Sequence, residues 1–154
     1  MTDREYAALS KKIRKMAELW VGRLQLNFWH ISVCVERVGQ GETGAYAGST
    51  VGGQADSFSE YMDATLTFFA PVLMDCSDAE IEKTVVHELL HLYTSRTMSD
   101  DYSTFDMELL TTNLTRLMLI AWDNTHGATA RSVARNRQRE ATPAFALTSR
   151  QRDH

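Results

Sequence analysis

The stretch Thr84-Val85-Val86-His87-Glu88-Leu89-Leu90-His91 sets two imidazoles four residues apart around a carboxylate. On a helix the H-x-x-x-H spacing puts both rings on one side, one turn apart, where they can share a single metal ion. Glu88 then lies about 100° further round the helix, close enough to serve a water at that ion without being a ligand itself. Such a set could activate water, with the ion as Lewis acid and the carboxylate as base. The competing reading is a solvent-facing strip whose histidines happen to be spaced by four.

A helical wheel separates the two readings. Ile81, Val85, Val86, Leu89, Leu90, Leu92 and Tyr93 spread over a broad apolar arc, while Thr84, His87, Glu88, His91 and Ser95 form a narrow polar strip. A helix apolar nearly all round is buried, and a polar strip on a buried helix needs partners or a water-filled cleft.

A catalytic site with three protein ligands needs one more donor, commonly a carboxylate from an adjacent helix. Two acidic residues open the final helix, Asp106 and Glu108. Asp106 stands three residues after Ser103, where its carboxylate has a local use as a cap, so Glu108 is the better candidate. Glu108 shares a helix face with Thr111, Thr112 and Thr115, away from a stripe of Leu110, Leu114, Leu117 and Ala121. Bringing two polar strips together over one ion accounts for both; the alternative for Glu108 is an exposed first-turn carboxylate favoured by the helix dipole.

The elements that must position these residues read as an α+β chain. Apolar residues Tyr6, Leu9, Ile13, Met16, Leu19, Trp20 and Leu24 recur at helical spacing, predicting an N-terminal helix from Asp3 to about Leu26 that packs on a sheet. From Trp29 the period becomes two, with Trp29, Ile31, Val33 and Val35 on one face and His30, Ser32, Cys34 and Glu36 on the other. Residues 39–53 hold most of the glycines and predict tight turns around a short second strand near residues 45–51. A third strand, DATLTFF, is closed by Pro71. Ser77-Asp78-Ala79-Glu80 is a capping box for the HELLH helix, which should run to about Arg96. Ser103-Thr104-Phe105-Asp106 caps a final helix reaching about Asp123. These segments predict one domain over residues 1–126 with a small three-stranded, mostly antiparallel sheet. Residues 127–154, with Arg131, Arg135, Arg137, Arg139, Arg150 and Arg152, read as an arginine-rich extension, a frayed helix followed by a mobile tail.

Composition narrows the function. At 154 residues the chain can bury a core without a structural metal, so a metal site here would be functional. A formal charge of −4 argues against a nucleic-acid-binding body as a whole; docking through the arginine-rich tail stays open. Cys34 and Cys76 lie far apart with no C-x-x-C spacing and read as reduced, mostly buried thiols. The N-terminal stretch mixes charges into every turn, unlike a secretion signal, and the longest apolar run, LMLIAW, is too short to cross a bilayer. The expectation is a soluble, cytoplasmic protein without a membrane partner.

With HELLH followed after sixteen residues by Glu108 on the next helix, the chain resembles the gluzincin branch of the zincin metallopeptidases. The wider plan of LNFWHISV, a glycine-rich hairpin, DATLTFF as an edge strand, TVVHELLH and ELLTTNLTRL is similar to small phage-encoded metallopeptidases of minimal zincin form, over about residues 1–125. The resemblance implies zinc as cofactor, His87, His91 and Glu108 as its ligands, Glu88 as general base and acid, and a peptide or protein as substrate, in the host cytoplasm if phage-encoded. It implies that an extended peptide adds to the free edge of DATLTFF. The chain departs from the fuller gluzincin pattern N-E-x-x-x-D, because Met107 precedes Glu108 and Thr112 stands four residues on, so the outer carboxylate is missing there. No oxyanion donor is evident: Tyr93 falls on the buried arc, Tyr46 and Tyr102 sit near flexible segments, His126 reads as a helix C-cap and His30 as solvated. Two other functions compete with peptide hydrolysis: a zinc-binding recognition module that docks a protein or nucleic acid, and a metal-free structural protein whose strip makes hydrogen bonds.

Overall fold

A computed structural model of the chain describes residues 1–37, 51–97 and 103–127. Helix α1, Asp3–Arg23, opens on a capping box in which Thr2 Oγ1 accepts the Glu5 amide at 3.3 Å and Glu5 Oε2 accepts the Thr2 amide at 2.7 Å. It stops at Arg23 in a Schellman pattern, with the Leu26 amide on the Val21 carbonyl at 2.9 Å and the Gln25 amide on the Gly22 carbonyl at 3.2 Å. Gln25 takes the left-handed conformation this closure requires, at φ 54°. The turn buries Leu26 and Trp29 and launches β1, His30–Glu36.

The sheet among the described residues has three strands in the order β1-β3-β2, with β2 at Gly53–Phe58 and β3 at Asp63–Phe69. β1 and β3 are parallel, pairing Val33 with Leu66 and Val35 with Phe68; β2 and β3 are antiparallel, pairing Ala55 with Leu66 and Gly53 with Phe68. The sheet is therefore mixed rather than mostly antiparallel, and DATLTFF is its central strand, not an edge. Its period-two pattern holds: Ala64, Leu66 and Phe68 are buried and Thr65 and Thr67 half-buried. A strand lies at Gly53–Phe58; the strand expected near residues 45–51 falls, all but Val51, outside the described residues.

A short helix α2, Ala70–Leu73, follows with Pro71 in its first turn, where the missing amide costs nothing. Helix α3, Asp78–Thr97, starts at the expected capping box: the Ser77 amide donates to Glu80 Oε2 at 2.7 Å and the Glu80 amide to Ser77 Oγ at 3.3 Å. Ile81, Val85, Val86, Leu89, Leu90 and Leu92 are all buried. α1 lies chiefly against α3 rather than on the sheet, presenting Leu9, Ile13, Ala17 and Trp20. The Trp20 indole donates to Glu82 Oε1 at 2.8 Å, and the Tyr6 hydroxyl ties α1 to β1 through the Val35 carbonyl at 2.7 Å. α3 in turn packs on β2 and β3, so the HELLH helix is gripped between a helix and a sheet.

Helix α4, Thr104–Trp122, turns its polar side towards α3, as bringing the two polar strips together required. Thr111 and Thr115 are buried, whereas Phe105, Leu109, Leu110 and Leu117 of the leucine-bearing side are exposed. Apolar periodicity fixes the spacing of a stripe but not which side meets the protein, and here the polar side is the one drawn in. Cys34 is exposed and Cys76 half-buried, both free, so the first is not the buried thiol expected.

The chain divides into two compact units, Met1–Leu117 and Met118–His154. In the second, the described residues form the end of α4 and a π-helical turn, Asp123–Gly127, in which the His126 ring stacks on Trp122 with centroids 3.6 Å apart. The rest of the arginine-rich extension lies outside the described residues, and no described helix is long and apolar enough to cross a membrane. Two substitutions check the orientation of α3 and α4. Leu89→Ala is expected to cost about 2–5 kcal/mol in urea denaturation, and Leu117→Ala less than about 0.5 kcal/mol; a large loss at Leu117 would reverse the assignment of α4's buried side.

Candidate metal centre

α3 and α4 bring His87, His91 and Glu108 together in one cluster, one donor atom from each lying within 4.8 Å of the others. His87 Nε2 is 3.2 Å from Glu108 Oε2, His91 Nε2 is 3.3 Å from Glu108 Oε1, and the two Nε2 atoms are 3.1 Å apart. The rings stand nearly perpendicular, at 86°. Two imidazole nitrogens this close, faced by both oxygens of one carboxylate, are lone pairs converging on a point where positive charge is stabilised. A divalent cation meets that requirement with one group. Burial holds the His91 imidazole below its ordinary pKa and nearby His87 acts in the same sense, against the pull of Glu108, which favours the neutral ring a metal ligand must be.

Asp106 is not part of the cluster. Its amide donates to Ser103 Oγ at 3.2 Å and its carboxylate accepts the Ser103 hydroxyl at 2.6 Å, the cap that its spacing suggested. That cap starts α4 so that Glu108, two residues later, projects towards α3.

Glu88 sits beside the cluster but outside its donor set. It is only 6 % exposed. Burial, reinforced by the Glu108 carboxylate, pushes its carboxyl up to about 8. The space it occupies exists because residue 53 is glycine: a Cβ there would lie 2.9 Å from Glu88 Cγ and 3.1 Å from both Glu88 Oε1 and Phe68 Cδ1. Any side chain at Gly53 must displace the carboxyl or the core ring behind it.

An open cleft of about 480 Å³ runs over the cluster. Gly53, Ala55 and Ser57 of β2 form one wall, Thr104 and Met107 of α4 the other, and Glu88 with the two histidines the floor. Because β3 is covered on both sides, the strand bordering the cleft is β2, which pairs only with β3 among the described residues. The wall contributed by β2 and the role of Gly53 escaped sequence reading; the Gly52-Gly53 pair ahead of Gln54-Ala55-Asp56-Ser57 was their only signal.

The other candidates fall elsewhere. Tyr93 is exposed rather than on the buried arc, and its hydroxyl donates to the Leu24 carbonyl at the end of α1. His30 is exposed on the outer face of β1, as expected. His126 lies in the second unit, its Nδ1 near Thr125 Oγ1 at 2.8 Å and the Trp122 carbonyl at 3.2 Å. Tyr46 and Tyr102 lie outside the described residues. No family model, curated protein or solved structure matches the chain.

The raised carboxyl gives a signature in metal-free protein. Folded chain keeps a proton on Glu88 that unfolded chain releases near 4.5, so Glu88 weakens folding progressively as pH rises from about 4.5 to about 8. His91 works in the opposite sense, since its proton leaves the folded chain first, and it is common to parent and variant. After chelation, the urea stability of Glu88→Gln relative to the parent should therefore grow from about pH 5 to about pH 8, by an amount on the order of a few kcal/mol. A constant difference would contradict a buried, destabilised carboxylate.

Proposed function

We propose that this chain is a zinc-dependent metallopeptidase of minimal zincin form, with His87, His91 and Glu108 as ligands and Glu88 as general base. The observation that carries the reading is the buried carboxyl of Glu88 on the floor of a cleft, beside three converging donors yet not one of them. A recognition module has no need of a base held at that energetic cost.

Zinc suits the donor set. Ligands about 2.0–2.1 Å from one tetrahedral zinc stand about 3.4 Å apart; here the two Nε2 atoms are 3.1 Å apart, and each lies 3.2 or 3.3 Å from one of the two Glu108 oxygens. Two imidazoles and a carboxylate leave a fourth position towards the cleft, the arrangement of catalytic rather than structural zinc. Bound zinc would supply Lewis acidity, which acidifies water and polarises a peptide carbonyl.

The chain's own residues do the rest. With a cation beside it, Glu88 is drawn to the carboxylate form and can accept a proton from the attacking water. It then gives that proton to the amine nitrogen as the C–N bond breaks, so one group serves as base and acid. An extended peptide in the cleft would run along β2, the bordering strand, using main-chain hydrogen bonds for register. Gly53, Ala55 and Ser57 present little bulk on that wall and leave room for the substrate backbone.

The test combines metal analysis of purified protein with cleavage of an unfolded polypeptide. The parent should hold one zinc per chain and lose cleavage on chelation; Glu88→Gln should keep the zinc and lose about 10²–10⁴-fold in rate. Cleavage that survives both treatments would exclude the mechanism. Zinc retained by a parent that cleaves nothing would favour a recognition module.

A further inference from the structure

On the side of His91 away from the cleft, two buried hydroxyls form a chain. His91 Nδ1 lies 3.5 Å from Thr111 Oγ1, Thr111 Oγ1 lies 3.1 Å from Thr94 Oγ1, and Thr94 Oγ1 is 3.4 Å from the carbonyls of Leu90 and of His91. Thr94 and Thr111 are 1 % and 0 % exposed. Buried helical threonines commonly turn back onto their own helix, as Thr115 does onto the Thr111 carbonyl at 2.8 Å. The Thr111 hydroxyl reaches across to α3 instead.

The direction of the chain follows from the cluster. His91 presents Nε2 to His87 and Glu108. A neutral imidazole whose Nε2 lone pair is given to a cation must carry its one proton on Nδ1, which then donates. Thr111 Oγ1 accepts a hydrogen bond from that N–H and donates its own O–H to Thr94 Oγ1, and Thr94 donates to a main-chain carbonyl of α3. The Thr111 hydroxyl gives one hydrogen bond and takes one, so the ring meets a neutral acceptor and no second charge.

We propose that Thr111, backed by Thr94, is the positioning residue for His91: a neutral hydroxyl relay fixes the tautomer and ring orientation of this ligand, taking the place of an outer carboxylate. The inference rests on the metal-site reading above. The place a carboxylate would take by the N-E-x-x-x-D spacing is Thr112, which is exposed, and the group that meets His91 is one residue earlier. Because the relay carries no charge, Glu108 is the only carboxylate paired with the two histidines among the described residues.

Full-length parent, Thr111→Val and Thr111→Ser are compared by zinc competition against a chromogenic chelator, with Thr94→Val as a second break in the chain. Thr111→Val keeps the shape and removes the hydroxyl, and should weaken zinc binding by about 10–100-fold. Thr111→Ser should recover most of that loss, and metal-free Thr111→Val should still fold, with a single cooperative urea transition. Imidazole nitrogen NMR of the zinc-loaded parent gives an independent readout: His91 should bind through Nε2 and show a slowly exchanging Nδ1 proton, which exchanges faster in Thr94→Val. Parent protein that binds zinc while Thr111→Val matches its affinity, or His91 ligating through Nδ1, would overturn the relay alone. Parent protein that binds no zinc would overturn the metal reading and the relay with it.

Discussion

Two helices meet here through their polar sides, and that junction makes the candidate site. α3 is clamped by α1 and the sheet, so its strip of His87, Glu88 and His91 emerges at the floor of a cleft, in surroundings that penalise unpaired charge. α4 answers with Glu108 and Thr111, leaving Phe105, Leu109 and Leu117 in solvent. Burying threonines while leucines stay exposed is unfavourable by area alone. The compensation is electrostatic and directional: one carboxylate facing two imidazoles, and a hydroxyl chain behind one of them. A cation between the donors would be the strongest single bond between the two helices, making α4's seat inseparable from the site.

The same junction separates the roles of two carboxyls. Glu108 is half exposed near the start of α4, where it faces both histidines. Glu88, one residue along from His87, is buried against Gly53 and held near Glu108, so without a cation it favours its proton. In the proposed reading a ligand and a base need opposite environments, and the exposed start of α4 and the buried floor of the cleft on α3 offer them.

Much of this was legible from local patterns. The capping boxes at Ser77 and Ser103 located the starts of α3 and α4, and period-two alternation located β1 and β3, because these signals depend on neighbours a few residues away. The polar strip pointed to His87, Glu88, His91 and Glu108 as one group. What escaped was non-local. Strand order decides whether DATLTFF is central or an edge, and pairing with β1 from across the intervening chain made it central. β2 lacks the β-branched residues that mark strands, since its Gly53, Ala55 and Ser57 leave space for Glu88 and the cleft.

The central claim is that one divalent ion is shared by α3 and α4 through two imidazoles and one carboxylate. Anomalous diffraction at the zinc edge, from crystals of the full chain grown with equimolar zinc, tests it most directly. A single peak is expected within bonding distance of Nε2 of His87, Nε2 of His91 and a carboxylate oxygen of Glu108, with Glu88 outside that set. A peak ligated by Glu88 or Asp106 in place of Glu108, or no peak between the two helices, would contradict the account.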